Sequence, residues 1–291
     1  MNLPSREENY KSQEEFQKAL LAQARKIQGA TSEDIENENT SSDFPKVDRV
    51  PSKCWALPSL FATCGLFGVR SPNRNRYYFK SKLIPMYQKD INMFYTGEEL
   101  DQIDLDVFLE LVLLCKKNGF GDTIFFKPKT LLKNISSTIG GNQSQQYQDS
   151  IRRLCATNLE IKYDNDPCYY GSSIIDRYQY DPNGFSIIEF NQDMFKLFKA
   201  ICIINKEKRL ALGKNQLSKW LYSFILRQRA DGQYSYIKLS TIKNLTNLNI
   251  PDKEFRRKIK VCFEKIKYVD KELISDWEFK NDTIKFLRKQ K

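Results

Sequence analysis

The chain has 291 residues, of which 41% are hydrophobic and 13% aromatic, so it is long enough for two domains with cores of their own. It contains no histidine, which excludes serine–histidine and cysteine–histidine catalysis, histidine-ligated metal sites, and nickases whose metal is held by histidines. The formal net charge of +11 is uneven: residues 201–291 carry 22 Lys and Arg against 10 Asp and Glu, residues 51–200 carry 18 against 16, and residues 1–50 carry 7 against 10. A basic region at one end indicates a surface that meets a polyanion, most commonly nucleic acid.

Cofactor and metal signals are missing from the sequence. The seven cysteines are scattered without a C-x-x-C pair, and several lie in apolar runs, which is typical of buried reduced thiols. Gly140 and Gly141 are followed by Asn-Gln-Ser rather than by the Gly-Lys-Ser/Thr ending of a phosphate-binding loop. No cofactor is therefore expected. The sequence also has no apolar run of the roughly 18 residues that cross a membrane and no secretory signal, which predicts a cytoplasmic protein.

Residues 1–50 are predicted to be an N-terminal extension. A helix is predicted over Glu8–Gln28, followed by the flexible acidic linker TSEDIENENTSSDFPK. The apolar positions of this helix share one face: Phe16, Leu20, Ala24 and Ile27. A helix that docks on a partner and a marginal, frayed helix are equal alternatives.

Residues 51–200 show the element order of a winged helix. RSPNRNRYYFKSK is predicted to turn into a strand, and YTGEELDQIDLDVFLELVLLCKKNG to form a long helix. DTIFFKPKTLLKNISSTIGG follows as a strand and a helix, and NQSQQYQDSIRRLCATNLEIKYD as a helix running into a strand. In SIIDRYQYDPNGFSIIEF, two alternating runs flank Asp-Pro-Asn-Gly, which predicts a hairpin.

The long helix carries its acids near the start and its lysines at the end. Asp101, Asp104 and Asp106 complement the helix dipole at one end, as Lys116 and Lys117 do at the other. A metal site is the alternative for the acids. Positions 104 and 106 point about 200° apart on a helix, so the three carboxylates do not converge, and the dipole-matched start is favoured.

Residues 201–291 repeat the same order. QLSKWLYSFILRQRA predicts a helix, YIKLSTIKNLTNL a strand and a short helix, and IPDKEFRRKIKVCFEKI a longer helix, with Asn249 as its cap and Pro251 in its first turn. Two strands about Lys280-Asn281-Asp282 close the chain. The sequence therefore predicts an α+β protein with two tandem winged-helix (helix–turn–helix) domains, 51–200 and 201–291, behind a partly helical extension.

The long helix of the second domain is the first candidate DNA-binding element. Its buried stripe is predicted to comprise Phe255, Ile259, Cys262 and Ile266. The opposite face carries basic residues without interleaved acids: Lys253, Arg256, Arg257 and Lys260. A face that merely binds water is the alternative, but a basic helix after a turn and a short helix is the geometry that enters a major groove. There Arg256 and Arg257 would read guanine, and the lysines would meet phosphates.

Two further sets of residues are candidate DNA contacts. Beside that helix and along the closing strands, or wing, the cations are Lys243, Lys271, Lys280, Lys285, Arg288 and Lys289. In the first domain, the equivalent helix is predicted to bury Tyr147, Ile151 and Leu154. Its polar residues are predicted to face outward or to flank the buried side: Gln145, Gln148, Asp149, Arg152 and Arg153. Gln suits adenine and Arg suits guanine. This helix is therefore predicted to form a second base-reading surface, and the alternatives are an interface between the domains or a helix that only faces solvent.

Four segments give the chain a family resemblance: FATCGLFGVRSPNRNRYYF, FYTGEELDQIDLDVFLELVLL, SIRRLCATNLEI and LSKWLYSFI. From about Pro51 to the C-terminus the sequence resembles TrfA-like plasmid replication initiators. The resemblance implies two tandem winged-helix domains that bind repeated origin sequences (iterons) in double-stranded DNA. It also implies local melting of an AT-rich region, with single-stranded DNA as a further ligand, recruitment of the host helicase, and contacts with the host initiator. A homodimer is a further candidate assembly.

The resemblance also implies a contact with the replicative clamp, through a Gln-Leu-x-Leu-Phe-type peptide before the winged helices. The sequence has no intact peptide of this type there. Leu57–Phe61 lacks the glutamine, and the segment Gln216–Trp220 lies in a predicted buried helix, so both favour a place in the core.

Two other functions compete with replication initiation. A winged-helix transcriptional regulator, acting on its own promoter, would share every DNA-binding feature. A nuclease or primase that uses the aspartates would need a convergent acid cluster, so the sequence favours a protein without enzymatic activity.

Overall fold

The computed structural model describes residues 47, 49–71, 74–117, 123–135, 141–164, 166–180, 186–228 and 232–289. Residues 46–291 belong to one compact unit. The helix predicted over Glu8–Gln28 and the acidic linker lie outside the described residues. Elsewhere helices mix with mainly antiparallel sheets, so the predicted α+β class is confirmed.

Up to residue 199, short strands surround one long helix. The strands are β1 Cys54–Pro58, β2 Phe67–Gly68, β3 Tyr78–Ile84, β4 Ile91–Glu98, β5 Leu100–Asp101, β6 Thr123–Phe126, β7 Asn158–Tyr163, β8 Asp166–Ser172, β9 Ile175–Tyr180 and β10 Ser186–Phe190. The helices are α1 Ser59–Ala62, α2 Gln102–Lys117, α3 Pro128–Ile135, α4 Gly141–Cys155 and α5 Gln192–Phe195, followed by a 3-10 turn at Lys196–Lys199. One sheet has the strand order β3-β4-β7-β8 and another β6-β10-β9.

The remaining part of the chain forms a second set of elements. They are β11 Ile201–Asn205, α6 Lys206–Ala211, α7 Gln216–Arg227, β12 Tyr234–Lys238, α8 Leu239–Thr246, α9 Asp252–Val269, β13 Ile274–Lys280 and β14 Thr283–Arg288. The last strands form a sheet of order β12-β14-β13. The predicted cap of α9 was wrong: the helix begins after Pro251, and no side chain caps it.

Both predicted hairpins are confirmed as pairs of strands. β9 and β10 run antiparallel with Gln179 opposite Ile187, while the turn between them lies outside the described residues. β13 and β14 run antiparallel with Lys280 opposite Thr283, and Asn281 in their turn has a φ of 54°. Asparagine tolerates this left-handed conformation better than most residues, which explains its place in a tight turn.

The central helix α2 starts later than its sequence pattern predicts. Residues 91–98, which include the first letters of the predicted helix, form β4, in which Ile91, Met93 and Tyr95 alternate with less buried neighbours. Alternation with a period of two is the pattern of a strand with one face in the core. The residues predicted to face the core are all buried: Leu105, Phe108, Leu109, Val112 and Cys115. Burial extends around the rest of α2 as well, which includes the polar residues Gln102, Asp104, Asp106 and Glu110.

A strand pair links the beginning of the unit to its second set of elements. β1 runs antiparallel to β11, with Trp55 opposite Ile204, and both side chains are fully buried. The Trp55 indole Nε1–H donates to Glu110 Oε2 of α2 at 2.8 Å, and Lys206 donates to the same oxygen at 2.8 Å. The predicted domain boundary at residue 200 thus falls immediately before a strand that pairs back with β1.

Backbone contacts join the same two parts of the chain. Val69 N–H donates to the Thr246 carbonyl at 3.2 Å, and the Trp220 indole N–H donates to the Cys64 carbonyl at 3.2 Å. A Cβ atom at Gly65 would lie 2.9 Å from the Leu245 carbonyl oxygen, closer than real Cβ atoms come to backbone oxygens. Glycine therefore allows the 64–69 segment to approach the end of α8 this closely.

Candidate nucleic-acid interface

Helix α9 turns one side to the core and the other to solvent. Its buried side chains are Phe255, Ile259, Cys262, Phe263 and Ile266, which confirms the predicted stripe. Because an α-helix has 3.6 residues per turn, Lys253, Arg257 and Lys260 lie on the opposite side, and all three are exposed. We call these three residues the α9 face.

Nothing in the described part of the chain neutralises the α9 face by an ion pair. Carboxylates are bound instead at its margins, where Lys258 pairs with Glu254 at 3.2 Å and Lys243 of α8 pairs with Asp252. Exposed Glu264 follows Lys260 by one turn on the same side, but none of the three cations forms an ion pair with it. Three exposed cations on neighbouring turns attract an external anion more strongly than paired cations do.

Arg256 is directed away from the α9 face and toward the turn between β13 and β14. Its Nη1 donates to the Asn281 carbonyl at 2.7 Å, and its guanidinium lies 4.4 Å from the centre of the Phe279 ring. The hydrogen bond and the cation–π contact hold the hairpin turn beside the helix. Arg256 therefore fixes the position of the hairpin relative to α9, whereas Arg257 remains free of ion pairs with the described carboxylates.

The predicted cations of the closing hairpin have different surroundings. Lys280 is exposed at the turn, and Lys285 pairs with Glu278 at 3.0 Å and lies 4.0 Å from the centre of the Tyr234 ring. Arg288 donates to the carbonyls of Leu226 and Gln228, at 2.6 Å each. These two hydrogen bonds link β14 to the end of α7, and burial of the guanidinium lowers the pKa of Arg288. Two further predicted hairpin cations are exposed: Lys271 and Lys289.

An open groove lies between α8, the start of α9 and the hairpin turn. Its polar lining consists of Ser240, Lys243, Asn244, Asn247, Asn249, Asp252 and Asp282. Asn247 ends α8 in a left-handed conformation with a φ of 54°, which turns the chain toward α9. Lys243, paired with Asp252, thus lies in the groove and not on the α9 face.

Helix α4 differs from α9 in the partners of its charged residues. Arg153, predicted to flank or face outward, is buried, and its Nη2 donates to Asp104 Oδ1 at 2.7 Å and to Ser150 Oγ at 3.0 Å. The outward prediction failed because α4 packs against α2, where the Asp104 carboxylate requires a counter-charge. Arg152 is exposed and pairs with Asp149 at 2.8 Å.

The two predicted glutamine contacts also lie on α4, at its outer side. Gln145 is exposed, and its Nε2 donates to Asp149 Oδ1 at 2.9 Å. Gln148 is half-buried beside Leu131 and Tyr180. Gln145 borders a groove whose floor holds Arg70, Arg76 and Arg153.

The first acids of α2 serve the fold more than the helix dipole. Asp101 Oδ1 accepts the backbone N–H of Ile103 at 2.9 Å, as an acid at a helix start commonly does. Asp104 binds Arg76 at 2.9 Å and Arg153 at 2.7 Å. The prediction of a dipole-matched start is therefore incomplete for Asp104, which is fully buried among arginines.

Asp106 is the centre of a second buried cluster. Arg209, which has no exposed surface, donates to Asp106 Oδ1 at 2.7 Å and to Gln102 Oε1 at 2.9 Å. Lys219 donates to the other carboxylate oxygen of Asp106. The same Arg209 donates to the Lys219 carbonyl at 2.9 Å and to Ser223 Oγ at 3.0 Å. This cluster joins α2 to α6 and α7 across the predicted domain boundary.

Burial and neighbouring charges shift the pKa values of these two acids in opposite directions. Burial raises the pKa of Asp104, Asp101 raises it further, and Arg153 and Arg76 offset only part of the shift. Burial would also raise the pKa of Asp106, but Arg209 and Lys219 together outweigh it and hold this pKa below its ordinary value.

The structural roles of Arg76, Arg209 and Lys219 were not predicted from the sequence. One signal could have shown that such cations exist: Asp104 and Asp106 flank Leu105 at the start of a run that is apolar as far as Cys115 except for Glu110, so buried carboxylates required buried counter-charges. Which cations provide them depends on tertiary contacts more than 100 residues apart in the case of Arg209.

The described residues contain no group of three or more His, Cys, Asp or Glu side chains placed to hold a metal ion. The helices described are also either too short or too polar to cross a bilayer.

Comparison with known proteins identifies the family. A sequence model described as TrfA protein matches residues 14–187, which is more than half of the chain. The chain belongs to the TrfA family. Over 130 residues it is 26% identical to the plasmid replication initiator protein TrfA of Escherichia coli, an alignment that covers 44% of this chain and 34% of that protein. The chain is thus a member of a plasmid replication initiator family, and its alignment spans about a third of the relative's length.

The residues matched by the TrfA model differ from those predicted to resemble the family, which run from about Pro51 to the C-terminus. The match begins at residue 14, inside the extension, and ends at residue 187, before the elements from β11 onward. Solved structures extend the likeness: domains 2 and 3 of RctB superpose with a TM-score of 0.56 at 11% identity, covering 81% of this chain and 99% of that one. A second RctB structure of domains 2–3, spanning residues 155–483, gives 0.51 at 12% identity, with 76% and 95% covered. At these identities the likeness is one of fold.

Proposed function

We propose that this TrfA-family protein initiates plasmid replication by binding iterons in double-stranded origin DNA through two tandem winged helices. In the second of them, α8 and α9 form the helix–turn–helix, and the hairpin of β13 and β14 is the wing. α9 lies in the major groove, where Lys253 and Lys260 meet phosphates and Arg257 reads guanine.

The observation that carries this proposal is the unpaired α9 face beside an anchored hairpin. Exposed lysines and arginines are common on protein surfaces, but most of the other described cations that the sequence predicts to contact DNA have carboxylate or carbonyl partners: Arg152, Arg153, Lys243, Arg256, Lys285 and Arg288. Arg256 holds the hairpin turn against the helix, so Lys280 is carried next to the α9 face. A helix and a hairpin that are fixed together can track the groove and its phosphates at once.

The first winged helix, with α3 and α4, contributes orientation and a second reading surface. Its Gln145 and Gln148 are the candidates for adenine, and Arg152 is the exposed candidate for guanine. Arg153 supports α4 from beneath through Asp104. The near-neutral charge of residues 51–200 fits a role in which this region adds specificity more than affinity.

Family membership supports the later steps of the proposal. After iteron binding, the protein promotes local melting of the origin and recruits the host helicase, with contacts to the host initiator and, as a further candidate, the clamp. It works in the cytoplasm, as a monomer or a homodimer, and has no catalytic step of its own. The acids considered for metal-dependent chemistry, Asp101, Asp104 and Asp106, are all bound by arginine or lysine side chains.

A binding experiment with matched variants tests the proposal. The probe is a duplex carrying the sequence that the protein protects in a footprint of its own plasmid. K253A/K260A removes two lysines of the α9 face, and K53A/K89A removes two exposed lysines outside α4, α9 and the hairpin. We expect the first variant to lower the slope of log K against log salt by about 1.8, since each phosphate contact contributes about 0.9, and the second to leave the slope unchanged.

Equal slopes for the two variants would contradict the assignment of α9. The competing function, a transcriptional regulator, is separated by supplying the protein in trans to a plasmid that carries only the origin. Replication of that plasmid in a competent host is the expected result, and footprint binding without replication would favour the regulator.

A further inference from the structure

An exposed apolar residue lies in the middle of the basic side of α9. Val261 is 52% exposed, adjacent in sequence to Lys260 and four residues after Arg257. Four residues are about one helical turn, so Val261 lies next to Arg257 along the same side of the helix. The side of α9 that faces solvent thus offers two cations and a small branched hydrocarbon group within one turn.

Helix formation does not explain valine at this position. A β-branched residue loses side-chain freedom in a helix, and exposed helical positions favour Lys, Glu, Gln or Arg. The neighbouring exposed positions of α9 follow that preference, with Arg257, Lys258, Lys260 and Glu264. Val261 also lies outside the stripe that packs into the core.

The major groove contains an apolar group that matches such a side chain. Each thymine presents its C5 methyl at the base edge, next to the hydrogen-bonding atoms that Arg and Lys recognise. Arg256 is turned toward Phe279, so the exposed residues on the outward side of the middle of α9 are Arg257, Lys260, Val261 and Glu264. Arg257 suits guanine, and Val261, one turn further, suits a thymine methyl.

We propose that Val261 is a specificity-determining residue that contacts a thymine methyl in the major groove, adjacent to the base read by Arg257. The inference rests on the proposed function, since it requires α9 to lie in the groove. It adds that the bound sequence contains at least one thymine whose methyl group contributes to affinity independently of any phosphate contact.

Replacing thymine by uracil tests this directly, because uracil lacks only the methyl group. The full-length protein is titrated with its footprinted duplex, and with duplexes in which each thymine in turn is replaced by uracil. We expect one or two positions at which the wild-type protein binds uracil about three- to tenfold more weakly, as the loss of one buried methyl predicts. V261A should bind the thymine duplex more weakly by a similar factor and should no longer distinguish the two bases there.

Two controls separate this contact from general effects on folding. V261I keeps an apolar branched side chain and should keep the preference for thymine. L83A removes an apolar side chain of similar exposure, 54%, from β3 and should leave the preference unchanged. Wild-type protein that binds every uracil duplex as well as thymine, or V261A that still prefers thymine, would overturn the inference while leaving iteron binding intact. Absence of any footprint would overturn the proposed function and the inference together.

Discussion

Helices α4 and α9 occupy the same place in the element order, yet their cations have different partners. On α4, Arg153 is buried against Asp104, and Arg152 pairs with Asp149 on the same helix. On α9, Lys253 and Arg257 are exposed and form no ion pair with a described carboxylate. The comparison shows that an arginine on such a helix is buried where a buried carboxylate faces it, as Asp104 faces Arg153, and stays exposed where none does, as at Arg257.

The comparison extends to the rest of the chain. Arg209 lies in the most basic part of the sequence, but it is fully buried and supports Asp106 of α2. The net charge of residues 201–291 therefore overstates the number of cations that can meet DNA. Single substitutions can separate the cations that stabilise the fold from the cations that face solvent.

The largest effect is expected at Arg209. R209M should lower the free energy of unfolding by about 3–5 kcal/mol, because one oxygen of the buried Asp106 carboxylate and three further buried acceptors lose their donor, although Lys219 still binds the other oxygen. R257M, which removes an exposed arginine, should change it by less than about 0.5 kcal/mol. Urea denaturation followed by circular dichroism measures both. Similar losses for the two variants would remove the distinction.

A smaller loss is expected at Arg153. R153M should cost about 1–3 kcal/mol, since Asp104 keeps Arg76 as a partner and fewer acceptors lose a donor than at Arg209. The salt dependence of DNA binding should stay as in the wild-type protein, because this guanidinium does not reach a phosphate. A slope lower by about 0.9 would place Arg153 at the DNA and make α4 equivalent to α9.

The dependence of the unfolding free energy on pH, at low pH, distinguishes Asp104 from Asp106. Asp106, with a lowered pKa, stabilises the fold above the ordinary carboxylate pKa of about 3.9, and this contribution is lost as the pH falls through the lowered value. Asp104, with a raised pKa, stabilises the fold below the ordinary carboxylate pKa. This contribution is lost as the pH rises through the raised pKa of Asp104 in the folded protein.

Acid titration of two variants measures these opposite contributions. D106N should lose less stability than the wild-type protein on acidification, and D104N should lose more, by about 1.4 kcal/mol for each pKa unit of the shift removed. The unfolding free energy measured by urea denaturation between pH 3 and pH 6 gives the result. Shifts of the same sign in both variants would contradict the assignment.

The smallest effect concerns base reading by α4. Q145A should relax discrimination at one A·T pair by about 1 kcal/mol without changing the salt slope, because an amide contacts a base edge and not a phosphate counterion. Competition binding with single base-pair substitutions measures it. An unchanged preference at every position would restrict base reading to α9.

Much of the local structure followed from sequence patterns. The α9 stripe, the closing hairpin and the core face of α2 were predicted because each depends on periodicity within one segment. β4 was missed because its alternating residues run directly into the strong helical pattern of α2, which was extended too far toward the N-terminus.

The partners of charged residues could not be predicted in the same way. Arg153 and Arg209 resemble exposed cations in a linear sequence, since their acids lie on α2, 49 and 103 residues away. A charge on a helix reveals its role only when the neighbouring element is known. The candidate site on α9 could be predicted because its residues lie on one helix. Arg256 is the exception, since its hydrogen bond to the Asn281 carbonyl depends on the position of the hairpin.

The pairing of β1 with β11 has a consequence for how the chain folds during synthesis. β1 ends at Pro58 and its partner begins at Ile201, so β1 has no strand to pair with until well over a hundred further residues have been made. At about 5–20 residues per second, this interval lasts on the order of ten seconds, during which the apolar strand and Trp55 lack their final cover. Contacts of such long range also slow folding in general. Synthesis therefore reaches Asn205 of the 291 residues before β1 can complete its pairing.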